Sequence, residues 1–260
     1  MRKKPEKRTP KVLSTAISAL IWIVLWQALS NAAKRAGMSL LLPSPLETMR
    51  AFAELLTQKN FYTSCGRSLL RVIVGWLTGL CAGSLLGIFT SIFKPLKTFF
   101  APVLHIVKAT PVASFIIAAL VLMSSKKVPS FTGFLISLPI VWTNITEGIS
   151  APDSKLIEAA HFFNVKKKNL IKYIYIPALK PYIVAAATTS MGLSWKACIA
   201  AEVICTPNGS IGQGIYNAKI YLETPSLFAW TAAVILLSVL LEMLIKTIIS
   251  KITDTEGNKK

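Results

Sequence analysis

The sequence predicts an all-α, polytopic membrane protein with six transmembrane helices. Three observations carry that prediction. Only 15% of the 260 residues are charged and 53% are hydrophobic, whereas soluble domains carry about 25% charged residues. The apolar residues gather in runs long enough to cross about 30 Å of hydrocarbon. The basic residues concentrate in alternate connecting segments. In a soluble chain the net charge of +18 would point to nucleic acid. Beside these apolar runs it reads as cytoplasmic positive charge instead, and no nucleic-acid partner is expected.

The six spans are residues 12–33, 68–93, 98–123, 128–149, 174–204 and 225–250. Residues 1–11 form a basic tail. Tail and apolar run together have the outline of a cleaved signal peptide. The stretch from Val12 to Ala33 is nevertheless long enough to span, so it reads as a retained first helix. In the following segment, 34–67, the prolines of Leu42-Pro43-Ser44-Pro45 force an extended lead-in. Leu46, Met49, Ala53 and Leu56 then recur at helical spacing, predicting an amphipathic helix along the outer membrane surface. The remaining 68–250 form a core of five helices, with a loop at 150–173, and 251–260 form a second basic tail.

Within that core, Gly75, Gly79, Gly83 and Gly87 make one smooth ridge on the second span. Such a ridge admits close approach by another backbone, either a helix of this chain or a second subunit. Ser124-Ser125-Lys126-Lys127 is so short that the third and fourth spans must be antiparallel neighbours. Pro207-Asn208-Gly209-Ser210-Ile211-Gly212-Gln213-Gly214 reads as a turn and a glycine-rich stretch. It lacks the Lys-Ser/Thr of a phosphate loop. Thr224-Pro225 predicts an N-cap and first-turn proline for the last span.

With the N-terminus inside, the segments 1–11, 94–97, 150–173 and 251–260 hold sixteen Lys and Arg, against eight in the external ones. Both termini and the 150–173 loop are therefore expected in the cytoplasm. That loop is built for order. Ser150 to Asp153 reads as a capping signal with Pro152 in the first turn. Leu156, Ile157, Ala160 and Phe163 follow at helical spacing, and Ala159 and Ala160 favour helix. Asn164 tolerates the left-handed backbone that ends a helix. Lys166-Lys167-Lys168 leads to Ile176-Pro177, which opens the fifth span. A short helix, a sharp turn and a second basic helix make a rigid knob suited to a cleft in another protein.

This loop carries a resemblance. Glu158-Ala159-Ala160, Asn164, Ile174, Ile176 and Pro177 keep the spacing of the signature of binding-protein-dependent ABC importer permeases. Asn164 stands where that signature has Gly, and Ile176 where it has Leu. Leu42-Pro43-Ser44-Pro45, Ser68-Leu69-Leu70-Arg71-Val72, Lys108-x-x-Pro111-x-Ala113, Trp195, Ala201-Glu202 and Gly209-x-Ile211-Gly212 resemble the nitrate, sulfonate and taurine subgroup. Some of its relatives carry thiamine or pyrimidine precursors. Ser124 to Lys127 departs from the glycine-containing turn of that subgroup.

The resemblance implies a type I importer permease (MetI-like) fold in a bacterial cell inner membrane. It implies two permease subunits, often identical, forming one translocation path. Two cytoplasmic ABC ATPase subunits would receive the loop helices and hold ATP and Mg, with no cofactor bound by this chain. An extracytoplasmic substrate-binding protein would deliver the solute. Glu158, Ala159, Ala160, Asn164, Ile174, Ile176 and Pro177 would couple to the ATPase.

Charges inside spans cost a few kcal/mol unless paired or wetted. Lys108, Lys196 and Glu202 are the candidates for lining a wet path. Arg71 and Lys180 are placed to snorkel, and Glu242 to pair locally with Lys246. The four cysteines have no metal-ligand spacing, and Cys81 and Cys198 read as small packed hydrophobes. No catalytic or metal site is expected. His105 and His161 lack the partners of an enzyme site. A self-contained secondary transporter is the alternative. It would need intramembrane carboxylates and inverted repeats, and Glu202 is the one central acidic candidate.

Overall fold

A computed structural model describes the backbone of residues 11–257 and the side-chain surroundings of 14–248. Of the expected tails, 1–11 and 251–260, residues 1–10 and 258–260 lie outside the described residues, and 251–257 continue the last helix. Among the described residues the protein is entirely helical. The chain divides into two compact units, Met1–Lys59 with Ile215–Ala233, and Asn60–Gly214 with Val234–Lys260.

In the first unit, α1 (Lys11–Arg35) ends at Gly37, whose φ of 74° is open to glycine. The Met38 N–H reaches the Ala33 carbonyl and the Gly37 N–H that of Lys34, which completes a Schellman stop. The amphipathic helix arrives as expected, as α2 (Pro45–Thr57). It opens on a capping box that the sequence reading overlooked. Glu47 N–H donates to Ser44 Oγ, and Ser44 N–H donates back to the Glu47 carboxylate. Lys34 Nζ lies 2.6 Å from the same carboxylate. Trp26 donates to the Pro43 carbonyl and stacks on Phe228.

In the second unit, α3 (Lys59–Ile92) begins earlier than residue 68. Phe61, Ser64, Cys65 and Ser68 form a buried stripe at helical spacing that holds the added turns in register. All four ridge glycines face α6 (Val128–Ser150). A Cβ on Gly75 would collide with the Ser130 carbonyl, and one on Gly83 would lie 2.8 Å from Val141 Cβ. The ridge thus serves packing within the chain, and α6 fills the face that a second subunit would need.

The third span is not one helix. It is α4 (Lys94–Ala109) and α5 (Val112–Leu122), bent by 104°. Pro111 cannot donate to the helix and pushes Thr110 to extended backbone, ψ 132°. Among the described residues, five helices are long and apolar enough to cross a membrane, or six if the bent pair counts as one span. The connector at 124–127 keeps α5 and α6 together over a core of Ile116, Ala119, Val128, Ala201 and Cys205.

Next come α7 (Ser154–Phe162) and α8 (Lys167–Leu170). A π-turn over Ile171–Tyr175 runs straight into α9 (Ile176–Cys205). The Ile176 N–H bonds to the Ile171 carbonyl just ahead of Pro177, where a proline would otherwise break the ladder. α9 packs along α6 through small polar groups. Ser137 and Ser194 hydroxyls meet at 2.7 Å, and Cys198 donates to the Pro129 carbonyl. Cys81, by contrast, is exposed on α3. The expected turn after Pro207 is present over 208–210, with Gly209 at φ 64°, and the rest of the glycine-rich stretch is helical, in α10 (Ile211–Ile220). The last helix is α11 (Thr224–Gly257). Leu227 N–H donates to the Glu223 carbonyl, so the helix is entered one residue before the Thr224 cap that the sequence suggested.

Candidate functional site

Three places gather the polar residues of the second unit. The first is α7. Asp153, not Ser150, caps it, accepting from the Lys155 N–H at 2.9 Å. Pro152 therefore lies before the helix rather than in its first turn. At the other end Asn164 takes φ 52°. Its N–H donates to the His161 carbonyl and that of Val165 to Ala160, a Schellman stop with Asn in the glycine position. No residue of α7 is buried. Glu158 and Ala159 are exposed and Ala160 is half-buried. The predicted apolar stripe divides: Ile157 is half-buried, while Leu156 and Phe163 are exposed. Phe162 and Phe163, 81% and 75% exposed, pack edge to face. The doubly capped helix thus ends in an exposed apolar tip. Ile174 is half-buried at the π-turn, and Ile176 and Pro177 stay exposed at the start of α9.

The second place is buried. Glu202 is 1% exposed and receives three donors. Arg71 Nη1 lies at 2.7 Å, Ser68 Oγ at 2.6 Å, and the Gly212 N–H at 3.3 Å. Ser68 Oγ in turn accepts the Ile211 N–H. Arg71 therefore does not snorkel, and Glu202 does not line an open path. Together they tie α3, α9 and the start of α10. Gly212 is required there, since a Cβ would run into the Glu202 backbone. Pairing also satisfies the one central carboxylate that ion-coupled transport would have used.

The third place comprises two neighbouring cavities. One, of about 450 Å³, lies inside the bend between α4 and α5, against α6 and α9. Its wall is aliphatic, with Leu135, Ile136, Ile140 and Leu193 prominent. Lys108 and Lys196 supply its charge, and Lys108 donates to Thr143 Oγ1 at 2.7 Å. The other, of about 300 Å³, lies between α9 and α11 and is more polar, with Thr188, Thr189, Glu242 and Lys246. Glu242 and Lys246 are 4.0 Å apart, as their spacing predicted. Lys196 borders both cavities. Trp195, beside it in sequence, is 1% exposed and its indole N–H has no acceptor among the described residues. The sequence reading missed the Arg71–Glu202 pair and the polar cavity, because residues far apart in sequence build both.

Long apolar helices, cavities between them and an ordered loop projecting from the bundle define a multi-pass membrane protein of the transport class. Residues 79–254 match the family described as binding-protein-dependent transport system inner membrane component. The chain belongs to that family and is a permease component of an ABC importer. It is 24% identical over 232 residues to a Bacillus subtilis (strain 168) permease named for aliphatic sulfonates transport, covering 88% of this chain and 82% of that one. It is 26% identical to the nitrate import permease of Synechocystis sp., covering 83% and 81%. Its fold matches an amino acid ABC transporter with TM-score 0.54 at 17% identity, over 71% of this chain and 89% of that one. A methionine ABC transporter in an inward-facing form matches with TM-score 0.53 at 16% identity, over 77% and 95%.

Proposed function

We propose that this chain forms the solute path of a bacterial importer and takes its driving force from a separate cytoplasmic ATPase. The observation that carries this reading is the geometry of α7. It is capped at both ends, has no buried residue and is joined by the turn at 163–166 to α8, which continues through the π-turn into the helix that bears Lys196. A push on α7 crosses only the short hydrogen-bonded turn at 163–166 before it enters α8, which is continuous with α9 through the π-turn. ATP and Mg belong to the ATPase, and Glu158, Ala159, Ala160 and the Asn164 turn sit in its cleft.

The chain works beside a second permease subunit, an identical copy in the simplest assembly. An extracytoplasmic binding protein supplies the solute. The basic excess in 150–173 places that loop and both termini in the cytoplasm. Lys108 and Lys196 line the path. The sulfonate, nitrate and bicarbonate named for relatives make a small anion the solute class most in keeping with those two lysines.

The test is co-purification with an ABC ATPase subunit from the same organism. Glu158→Lys should abolish it while membrane insertion and thermal unfolding stay unchanged. Normal ATPase capture by that variant would overturn the coupling role.

A further inference from the structure

The cavity at the α4–α5 bend has a chemistry of its own. Its two charged lining residues are both cations, and its wall is otherwise almost wholly aliphatic. Among the described residues neither Lys108 nor Lys196 is bridged to a carboxylate, and Lys108 rests on a neutral hydroxyl. Glu242 lines the adjoining cavity, which Lys196 also borders, and is matched there by Lys246. Two uncompensated ammonium groups within membrane-spanning helices carry a desolvation cost, which a bound anion would offset. The aliphatic wall adds a second requirement. A hydrated inorganic anion gains nothing from Leu135, Ile136, Ile140 and Leu193, whereas an alkyl group placed against them leaves water.

We infer that this cavity binds a small organic anion with an apolar body, the anionic head between Lys108 and Lys196 and the body on the α6 wall. An alkyl sulfonate or carboxylate has that chemistry, and nitrate or bicarbonate lacks half of it. The inference rests on the path-lining role given to the two lysines above. It is independent of α7, so ATPase capture and anion selectivity can fail separately. An anionic lipid that slips a chain between the helices would present the same chemistry from another source.

The experiment uses the full chain in nanodiscs of phosphatidylcholine, with sodium 1-butanesulfonate as probe and thermal unfolding as readout. Butanesulfonate should raise the midpoint saturably, while 1-butanol, butylammonium and nitrate should not. Lys108→Gln and Lys196→Gln should each weaken binding about tenfold or more, the worth of one charge-assisted hydrogen bond. Lys196→Arg should retain binding. Lys97→Gln, on the same helix but outside the cavity, should bind as the parent does. An equal response to nitrate, or undiminished binding in both glutamine variants, would overturn the inference. Repeating the titration with phosphatidylglycerol separates the two sources. Unchanged affinity supports a soluble ligand, and loss of the response makes the cavity a lipid site.

Discussion

Glu158 and Glu202 occupy opposite surroundings in one chain. Glu158 stands on an exposed helix with no buried neighbour on its own element. Glu202 is enclosed by a guanidinium, a hydroxyl and a backbone N–H. Both belong to the segments that mark this kind of permease, yet the physics gives them different work. An exposed carboxylate is already solvated and adds little to folding, so it is free to meet a partner. A buried one loses its hydration and must recover it from fixed donors. The contrast separates the part of the molecule proposed as the ATPase's handle from the part that anchors the fold.

Removing each carboxylate should break the comparison most sharply. Glu202→Ala leaves Arg71 charged and nearly enclosed, 14% exposed. Breaking a buried pair in this way costs about 3–5 kcal/mol, so a large drop in the unfolding midpoint in detergent is expected. Glu158→Ala should leave the midpoint within error. If the two variants unfold alike, the division between anchor and handle is wrong.

Gly212 tests the anchor from its other side. A Cβ there meets Glu202 backbone atoms, which have no rotamer by which to retreat. Gly212→Ala should therefore cost about 1–3 kcal/mol, the usual price of overpacking. Gly66→Ala is the control, because nothing lies within 4 Å of its Cβ position. The measurement is again thermal unfolding of the purified chain.

These two regions were not equally legible in the sequence. The α7 knob is a local object. Its caps, its apolar periodicity and the Asn164 turn all lie within a dozen residues, so spacing alone displays them. Even there the cap moved to Asp153, because several small polar residues in a row can each serve. The anchor is non-local. Arg71 and Glu202 are 131 residues apart, and no periodicity connects them, so each was read alone and misplaced. The glycine ridge fell between these cases: its small-residue face was visible, but only the structure supplied α6 as its occupant. The bend at Pro111 was half visible. Proline announces a weak point, yet the 104° angle of the turn is not written in its residue type.

Asn164 carries the next smaller effect. Its φ of 52° costs an ordinary residue about 1–2 kcal/mol, and a β-branched one is the least suited. Asn164→Gly should keep α7 folded and coupled. Asn164→Val should fray its last turn, seen as faster hydrogen exchange at Val165 and Asn164, whose N–H groups close the Schellman stop. The global midpoint should stay put, because α7 buries nothing. A global loss of stability in Asn164→Val would show that the knob is part of the core after all.

The smallest effect comes from an ion pair between these extremes. Lys34 and Glu47 are 35% and 41% exposed, and their atoms approach to 2.6 Å. The hydrogen bond from Lys34, followed by that from the Ser44 backbone, lowers the Glu47 carboxyl from 4.5 to about 2. A carboxylate held below its unfolded value stabilises the fold fully above that value, near pH 4.5, and the contribution fades as pH falls through about 2. Solvent screening keeps it under about 1 kcal/mol. Acidification across that window should therefore loosen the first turn of α2, where Glu47 also closes the capping box. The measurement is amide exchange at Glu47 and Thr48 as a function of pH. Lys34→Gln should move the onset of loosening to higher pH, since it removes the largest cause of the shift. An unmoved onset would mean that the Ser44 cap, not the lysine, holds the carboxylate.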